Sequence, residues 1–460
     1  MPAVQGKYQE ENEPEDADSQ AQKRILRLFF GTMQKYAGKW KDIFSGVSDE
    51  REAGKIAYPL RVLLFTGVLL FVCQLGARRQ INHKLRGNAA ARQKYQALFG
   101  VDEVPHGDTL NYAFQRLKVD QVQEVVCTLT ERLLDREELQ RWWLFGLYAL
   151  IAIDGTGVLT YHERHCEFCL TRKLNNGEIC YYHPVLEAKW VTANGYAFSL
   201  MTEFIENSDP QATKQDCELK AFYRLAERLK KRFPRRDFCL LLDGLFAGGP
   251  TLALCEKKEW KYLIVLTDED LPTVNQEFEA LLKLPPENRR EIKLDNGIQQ
   301  TYRWMDGIEY TDSDQKAHRV NVLECVERSC DAQDRPISKK FKWVTNFTLV
   351  SGNGPILANQ AGRLRWKIEN EGFNLQKKGG FALEHAFSQH ETAHKIFYLL
   401  LQLALIIFQL MSKDPFFQQA FPKGLGSLKN IAYRLLEAWR NLRLEDQAFL
   451  DLLLIPLDTS

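Results

Sequence analysis

Tyr148-Ala-Leu-Ile-Ala-Ile-Asp-Gly-Thr-Gly157 decides the fold. A short apolar run without helical spacing predicts a central strand buried on both faces, and the acid-and-glycine ending predicts that it stops at a functional loop. The signals downstream agree with this reading. Extended segments near 185–192 and 196–205 are joined through Ala193-Asn-Gly195, a strong hairpin turn. Residues 215–233 form a helix with Leu219, Phe222, Leu225, Ala226 and Leu229 on one face. A second buried strand, Phe238-Cys-Leu-Leu-Leu242, ends in Asp243-Gly. A short helix near 249–258 and a strand from Tyr262 to Leu266 follow. In an α/β sheet, function gathers at strand ends, where exposed loops sit on rigid strands. If the strands ending at Asp154 and Asp243 are neighbours, their carboxylates emerge together and repel, so they require a cation. Oxygen ligands favour Mg²⁺ or Mn²⁺.

The rest of the chain frames this sheet. Residues 22–140 show helical spacing, with helices expected near 22–44, 58–84, 90–98, 107–117 and 119–136, and with Asp108 or Thr109 as a cap. This region is expected to be a separate all-helical domain. Six acids and no base between residues 10 and 18 predict a disordered acidic tail over 1–21. Residues 268–350 alternate polar loops with β-rich pieces and read as an insertion. Residues 145–267 and 351–411 then make up one α/β domain, and 412–460 a helical C-terminal region. Net charge is only +1 over 460 residues, so binding to a nucleic acid is possible through patches but is not required by composition. Arg78 to Lys94 and Lys230 to Arg236 are the basic runs, and a solvated helix face is the competing reading of each. Ten cysteines fit a reducing cytoplasm, and no secretory signal opens the sequence. The apolar stretches Val62–Val72 and Ile396–Met411 read as core helices rather than membrane spans.

The third carboxylate comes from Arg363-Leu-Arg-Trp-Lys-Ile-Glu-Asn-Glu371. Arg365, three intervening residues and then Glu369 resemble the signature helix of bacterial insertion-sequence transposases of the DDE class. Ile-Asp154-Gly-Thr and Leu-Leu-Asp243-Gly resemble the same family's first two acidic motifs, and the resemblance covers about 145–410. It implies an RNase H-like α/β catalytic domain with a β-rich insertion, in which Asp154, Asp243 and Glu369 hold Mg²⁺ or Mn²⁺. Two-metal phosphoryl transfer would cut element ends and join the freed 3′-hydroxyls to target DNA. Arg365 and Lys377 would then neutralise DNA phosphates, while Trp366 stacks on a displaced base or packs in the core. A dimer assembled on DNA and a nucleoid-associated bacterial cytoplasm follow from that reading. Two positions depart from the family pattern: Gly362 stands where it has Tyr, and Gln376 where it has Lys, with Lys377 and Lys378 adjacent. Glu371 competes with Glu369. An inactive DNA-binding derivative and a standalone nuclease are the alternative functions.

A second constellation is Cys166-x-x-Cys169 followed by Cys180-x-x-His183, with His162 and His165 as spare donors. Paired ligands at this spacing can grip a structural Zn²⁺, and free cytosolic thiols are the alternative. Glu384, His385, His390 and His394 lack an evident third ligand and read as packing.

Overall fold

The computed structural model describes residues 17–208, 214–284, 288–331 and 333–443. Residues 1–16 of the expected acidic tail lie outside this description, as do residues 444–460. Residues 17–21 already belong to a helix. The chain divides into two compact units, one of residues 1–117 with 407–460 and one of 118–406.

In the first unit the chain forms α1 (Ala17–Ala37), α2 (Leu60–Val72), α3 (Arg79–Lys84), α4 (Ala89–Phe99) and α5 (Gly107–Phe114). The expected helix over 58–84 is two helices, α2 and α3, separated by a turn in which Gln74 and Gly76 adopt positive φ. His106, not Asp108 or Thr109, caps α5, because its ring Nδ1 accepts from the Asp108 N–H. Twelve of the thirteen residues of α2 are buried, leaving only Arg61 in water.

The second unit opens with α6 (Val119–Leu134) and α7 (Glu137–Gln140). The sequence placed α6 with the N-terminal helices, yet it packs on the sheet. The Thr130 hydroxyl donates to Ser199 O, and Gln123 Oε1 accepts from Thr202 N–H. The unit boundary therefore falls near residue 117 and not near 140. An amphipathic helix shows which face is buried, but not against which partner.

The sheet comprises β1 (Ala149–Tyr161), β2 (Leu170–Lys173), β3 (Ile179–Val191), β4 (Ala197–Phe204), β5 (Phe238–Leu242), β6 (Lys261–Val265), β7 (Arg289–Lys293), β8 (Gln299–Thr311), β9 (Ala317–Cys330) and β10 (Pro336–Thr345). Its order is β2-β3-β1-β5-β6-β10-β9-β8-β7, with β4 also paired to β3. Strands β1, β5 and β6 run parallel, and the other pairings are antiparallel. The parallel crossovers use α8 (Glu218–Arg232) and α9 (Gly249–Lys257); α10 (Pro272–Leu281) precedes β7. The expected insertion is no separate body. Thr345 to Trp343 of β10 pair with β6, so β7 to β10 prolong the central sheet. Their polar, alternating texture reflects half-exposed strands, whereas β1 and β5 are covered on both faces.

Strand β1 also differs from the expectation. It does not stop at Asp154 but continues to Tyr161 against β3, with a bulge between Gly157 and Leu159. What stops beyond Ala152 is its pairing with β5. Leu150 and Ala152 on β1, and Cys239 and Leu241 on β5, face a core completed by Leu357, Ala358, Ala361, Leu364, Ile368 and Phe373. These last residues lie on α11 (Gly354–Gln360) and on the irregular helical run that follows it. The run is a 3₁₀ turn over Gly362–Trp366, a π turn over Ile368–Phe373, and α12 (Asn374–Lys378).

Helix α13 (Ala393–Lys413) is the one helix among the described residues long and apolar enough to cross a membrane, and 89% of its most apolar window is buried inside the protein. It is a core helix by that measure. Beyond it, α14 (Pro415–Ala420) and α15 (Leu428–Asn441) belong to the first unit. There the rings of Phe30, Trp40, Phe65, Tyr95, Phe99 and Trp439 meet at centroid distances of 5.1–6.4 Å.

Candidate active site

Side chains alternate along a strand, so Leu150, Ala152 and residue 154 share one face of β1. Cys239, Leu241 and residue 243 likewise share one face of β5. The parallel register pairs Leu150 with Cys239 and Ala152 with Leu241, and the same offset sets Asp154 level with Asp243. Both carboxylates thus sit where the apolar core gives way to polar groups, beneath the helical run that carries Glu369.

Arg365 joins this run to the sheet. Its Nη2 donates to Glu369 Oε1 at 2.9 Å, and its Nη1 lies 3.4 Å from Asp154 Oδ2. Arg365 is 4% exposed, and its guanidinium carbon lies 4.2 Å from the centroid of Trp366. Asp154 Oδ1 accepts from Gly155 N–H at 2.9 Å, and Asp243 Oδ1 accepts from Leu245 N–H at 3.1 Å. Each Asp therefore spends one oxygen on its own turn, the ordinary capping role of such residues.

Burial pushes the Asp154 carboxyl up to about 7; Glu369 and Asp243 add to this effect and Arg365 opposes it. Burial also raises Asp243, with Asp270 and Glu369 contributing and Arg365 again opposing. These are carboxylates that compete for too little positive charge. The sequence reading missed Glu218, in the first turn of α8. Burial and Asp243 raise its carboxyl, and a Cβ added at Gly155 would meet Glu218 Oε1 at 2.2 Å. An acid in a helix's first turn is commonplace, so only the close approach to Gly155 distinguishes it.

The oxygen-only donor set suits a hard divalent cation. Among the described residues, however, the oxygens of Asp154, Asp243 and Glu369 do not form a set lying wholly within 4.8 Å, and Arg365 is the cation between two of them. Glu371 does not belong to this group, because it pairs with Lys367 at 2.5 Å. Lys377 pairs with Glu384 at 3.0 Å. Gln376 is buried, and its amide donates to Gln402 Oε1. Trp366 is 47% exposed and lines a cavity with Lys340, Phe341, Trp343 and Arg363.

The Cys/His constellation assembles only in part. Cys166, Cys169 and His183 come together; Cys180 does not, and its thiol instead lies near Tyr181 O. Cys180 and His183 are three apart on β3, and alternation sends residues at odd separation to opposite faces. The x-two spacing brings ligands together in a turn and separates them in a strand. His390 and His394 do not pair as ligands either, since His394 Nδ1 contacts His390 O at 3.1 Å and its ring lies 5.3 Å from that of His183.

The basic runs are partly used inside the protein. Lys94 is buried, Arg78 pairs with Asp108, and Arg232 and Arg236 pair with Glu124, Glu131 and Asp135. Arg79, Lys84, Arg86, Lys231 and Arg235 remain exposed.

No curated protein matches this chain at a meaningful level. Residues 41–130 match the family described as DDE_Tnp_1-associated, a region linked to DDE transposases, and this match supports a transposase family for the chain.

Proposed function

We propose that the chain is a metal-dependent DNA transposase whose sheet is an RNase H-like catalytic core. The observation that supports this best is the convergence of Asp154, Asp243 and Glu369 on one buried arginine, from two parallel strands and the helical run above them. Asp154, Asp243 and Glu369 would hold Mg²⁺ or Mn²⁺, which when bound activates a water or 3′-hydroxyl and stabilises the departing oxygen. Arg365 holds Glu369 against Asp154 and supplies positive charge beside a phosphate. Trp366 offers an exposed ring at the mouth of a cavity, suited to a base lifted from the stack. Lys377, Arg79, Lys84 and Arg86 supply charge for DNA phosphates, and two such chains would act together on two element ends.

The test is cleavage of labelled DNA carrying the element's ends, with Mg²⁺ or Mn²⁺. Metal-dependent nicking by wild type, abolished by Asp154→Ala, Asp243→Ala and Glu369→Ala while DNA binding persists, is the expected result. Binding without cleavage by wild type would replace this reading with an inactive DNA-binding derivative. Cleavage without strand joining would replace it with a nuclease.

A further inference from the structure

The loop between β1 and β2 brings two thiols to one imidazole. Cys169 Sγ lies 3.2 Å from His183 Nε2, Cys166 Sγ lies 3.4 Å from it, and the two sulfurs are 3.6 Å apart. A tetrahedral zinc ion with ordinary Zn–S and Zn–N bonds would space two sulfurs by about 3.8 Å and sulfur from nitrogen by about 3.6 Å. All three separations are within about 0.4 Å of that face. They are far from the roughly 2.05 Å of a disulfide.

A second observation lies behind the imidazole. With Nε2 turned to the sulfurs, His183 Nδ1 is buried without a hydrogen-bond partner, and Glu206 Oε1 is buried without one too. One ligand atom each of His183, Glu206 and His394 lie within 4.8 Å of one another, and Lys395 holds the other Glu206 oxygen at 2.6 Å. A histidine that ligates a metal through one nitrogen commonly offers the other N–H to a carboxylate, which fixes its tautomer.

We propose that Cys166, Cys169 and His183 Nε2 bind one Zn²⁺, with Glu206 as the carboxylate that orients His183 and with water, reaching the part-buried Cys166, in the fourth position. Two thiol protons leave when the ion binds. Two thiolates and an imidazole are soft and borderline donors, which selects zinc over magnesium. The ion ties the loop from His162 to Cys169 onto β3, beyond the end of β1. This inference does not depend on the transposase reading, and no cleavage assay enters its test.

The experiment is metal analysis of the untagged full-length chain after zinc loading and removal of loose metal, repeated with Co²⁺. Wild type is expected to hold one Zn²⁺ per chain. Its cobalt form is expected to show thiolate-to-metal charge transfer and the intense visible bands of a tetrahedral site. Cys166→Ser, Cys169→Ser and His183→Asn should lose the ion, and Cys180→Ser should keep it. Glu206→Gln should keep the stoichiometry but bind at least about tenfold more weakly. Circular dichroism of each variant separates loss of a ligand from loss of fold. A wild type that binds no zinc, or a folded Cys166→Ser protein that keeps full affinity, overturns the proposal. So does loss of zinc in a folded Cys180→Ser protein.

Discussion

Gly362 has no room for a side chain. A Cβ there would lie 2.5 Å from Trp343 Cε2 and 2.7 Å from its Nε1, so the indole already occupies the space that a larger residue would need. Gly362→Ala should therefore destabilise the protein by about 1–3 kcal/mol, the usual cost of overpacking, as a lower guanidinium midpoint at unchanged slope. The departure of Gln376 from the family pattern has an equally local cause: it sits in the core against Gln402, where a charged ammonium would be costly. Between the two acids of the helical run, pairing decides. Glu369 shares Arg365 with Asp154, whereas Glu371 is engaged by Lys367. Glu369→Gln is expected to lower cleavage by a factor of a hundred or more, on the order seen when an electrostatic group at a reacting centre is removed, while Glu371→Gln changes it by less than about threefold. Equal loss in both variants, with folding intact, would count against the proposed metal site.

At the scale of elements, β3 carries a polar network on the same face as the carboxylates. Glu187 and Lys189 are both fully buried, with Glu187 Oε1 and Lys189 Nζ 3.7 Å apart. Thr202 and Tyr398 donate to Glu187 at 2.8 and 2.7 Å, Ser199 donates as well, and Lys189 donates to Gln402 Oε1 at 2.6 Å. A Cβ at Gly372, in the π turn, would lie 3.2 Å from Lys189 Cδ, so the run carrying Glu369 rests directly on this lysine. Glu187→Leu would leave an ammonium buried without its counter-charge and should cost about 3–5 kcal/mol in unfolding free energy. The double variant Glu187→Leu with Lys189→Met should recover a large part of that loss. If the double variant is no more stable than the single one, loss of the counter-charge to Lys189 is not what destabilises Glu187→Leu.

At the scale of the whole molecule, the family match over residues 41–130 contains none of Asp154, Asp243 and Glu369, so the match says nothing of the cluster's geometry. The first unit has its own titratable group. Lys94 is 2% exposed and donates to Ala90 O in its own helix and to Trp439 O and Leu442 O at the C-terminal end of α15. Burial pushes its pKa down to about 7 from 10.5. Between those values the unfolded chain holds a proton that the folded chain lacks, so this group makes stability rise as pH rises from about 7 to 10.5. The slope is at most about 1.4 kcal/mol per pH unit. Chemical unfolding at pH 6.5, 8 and 9.5, values spread about that interval, should show the rise in wild type and a flatter profile in Lys94→Met. Identical profiles would mean that Lys94 stays charged when buried.

Much of the second unit could be read from local pattern alone. The apolar runs ending at Asp154 and Asp243, the Asn194-Gly195 turn and the one-sided face of α8 each signal an element through its own periodicity, because period 2 and period 3.6 record burial along the chain. The placement of Asp154 level with Asp243 needed one further fact, that β1 and β5 are neighbours in register, and that is a property of the sheet. The same limit explains the other differences. Helix α6 shows an apolar face but not its partner, and β7 to β10 look peripheral although they extend the central sheet. Cys180 shares a motif spacing with His183, but extended backbone turns the two side chains apart. Glu218 and Arg365 acquire their roles only where residues distant in sequence meet. Local sequence encodes what each segment buries; tertiary structure alone decides what it is buried against, because that depends on pairings between segments that do not see each other until the chain folds.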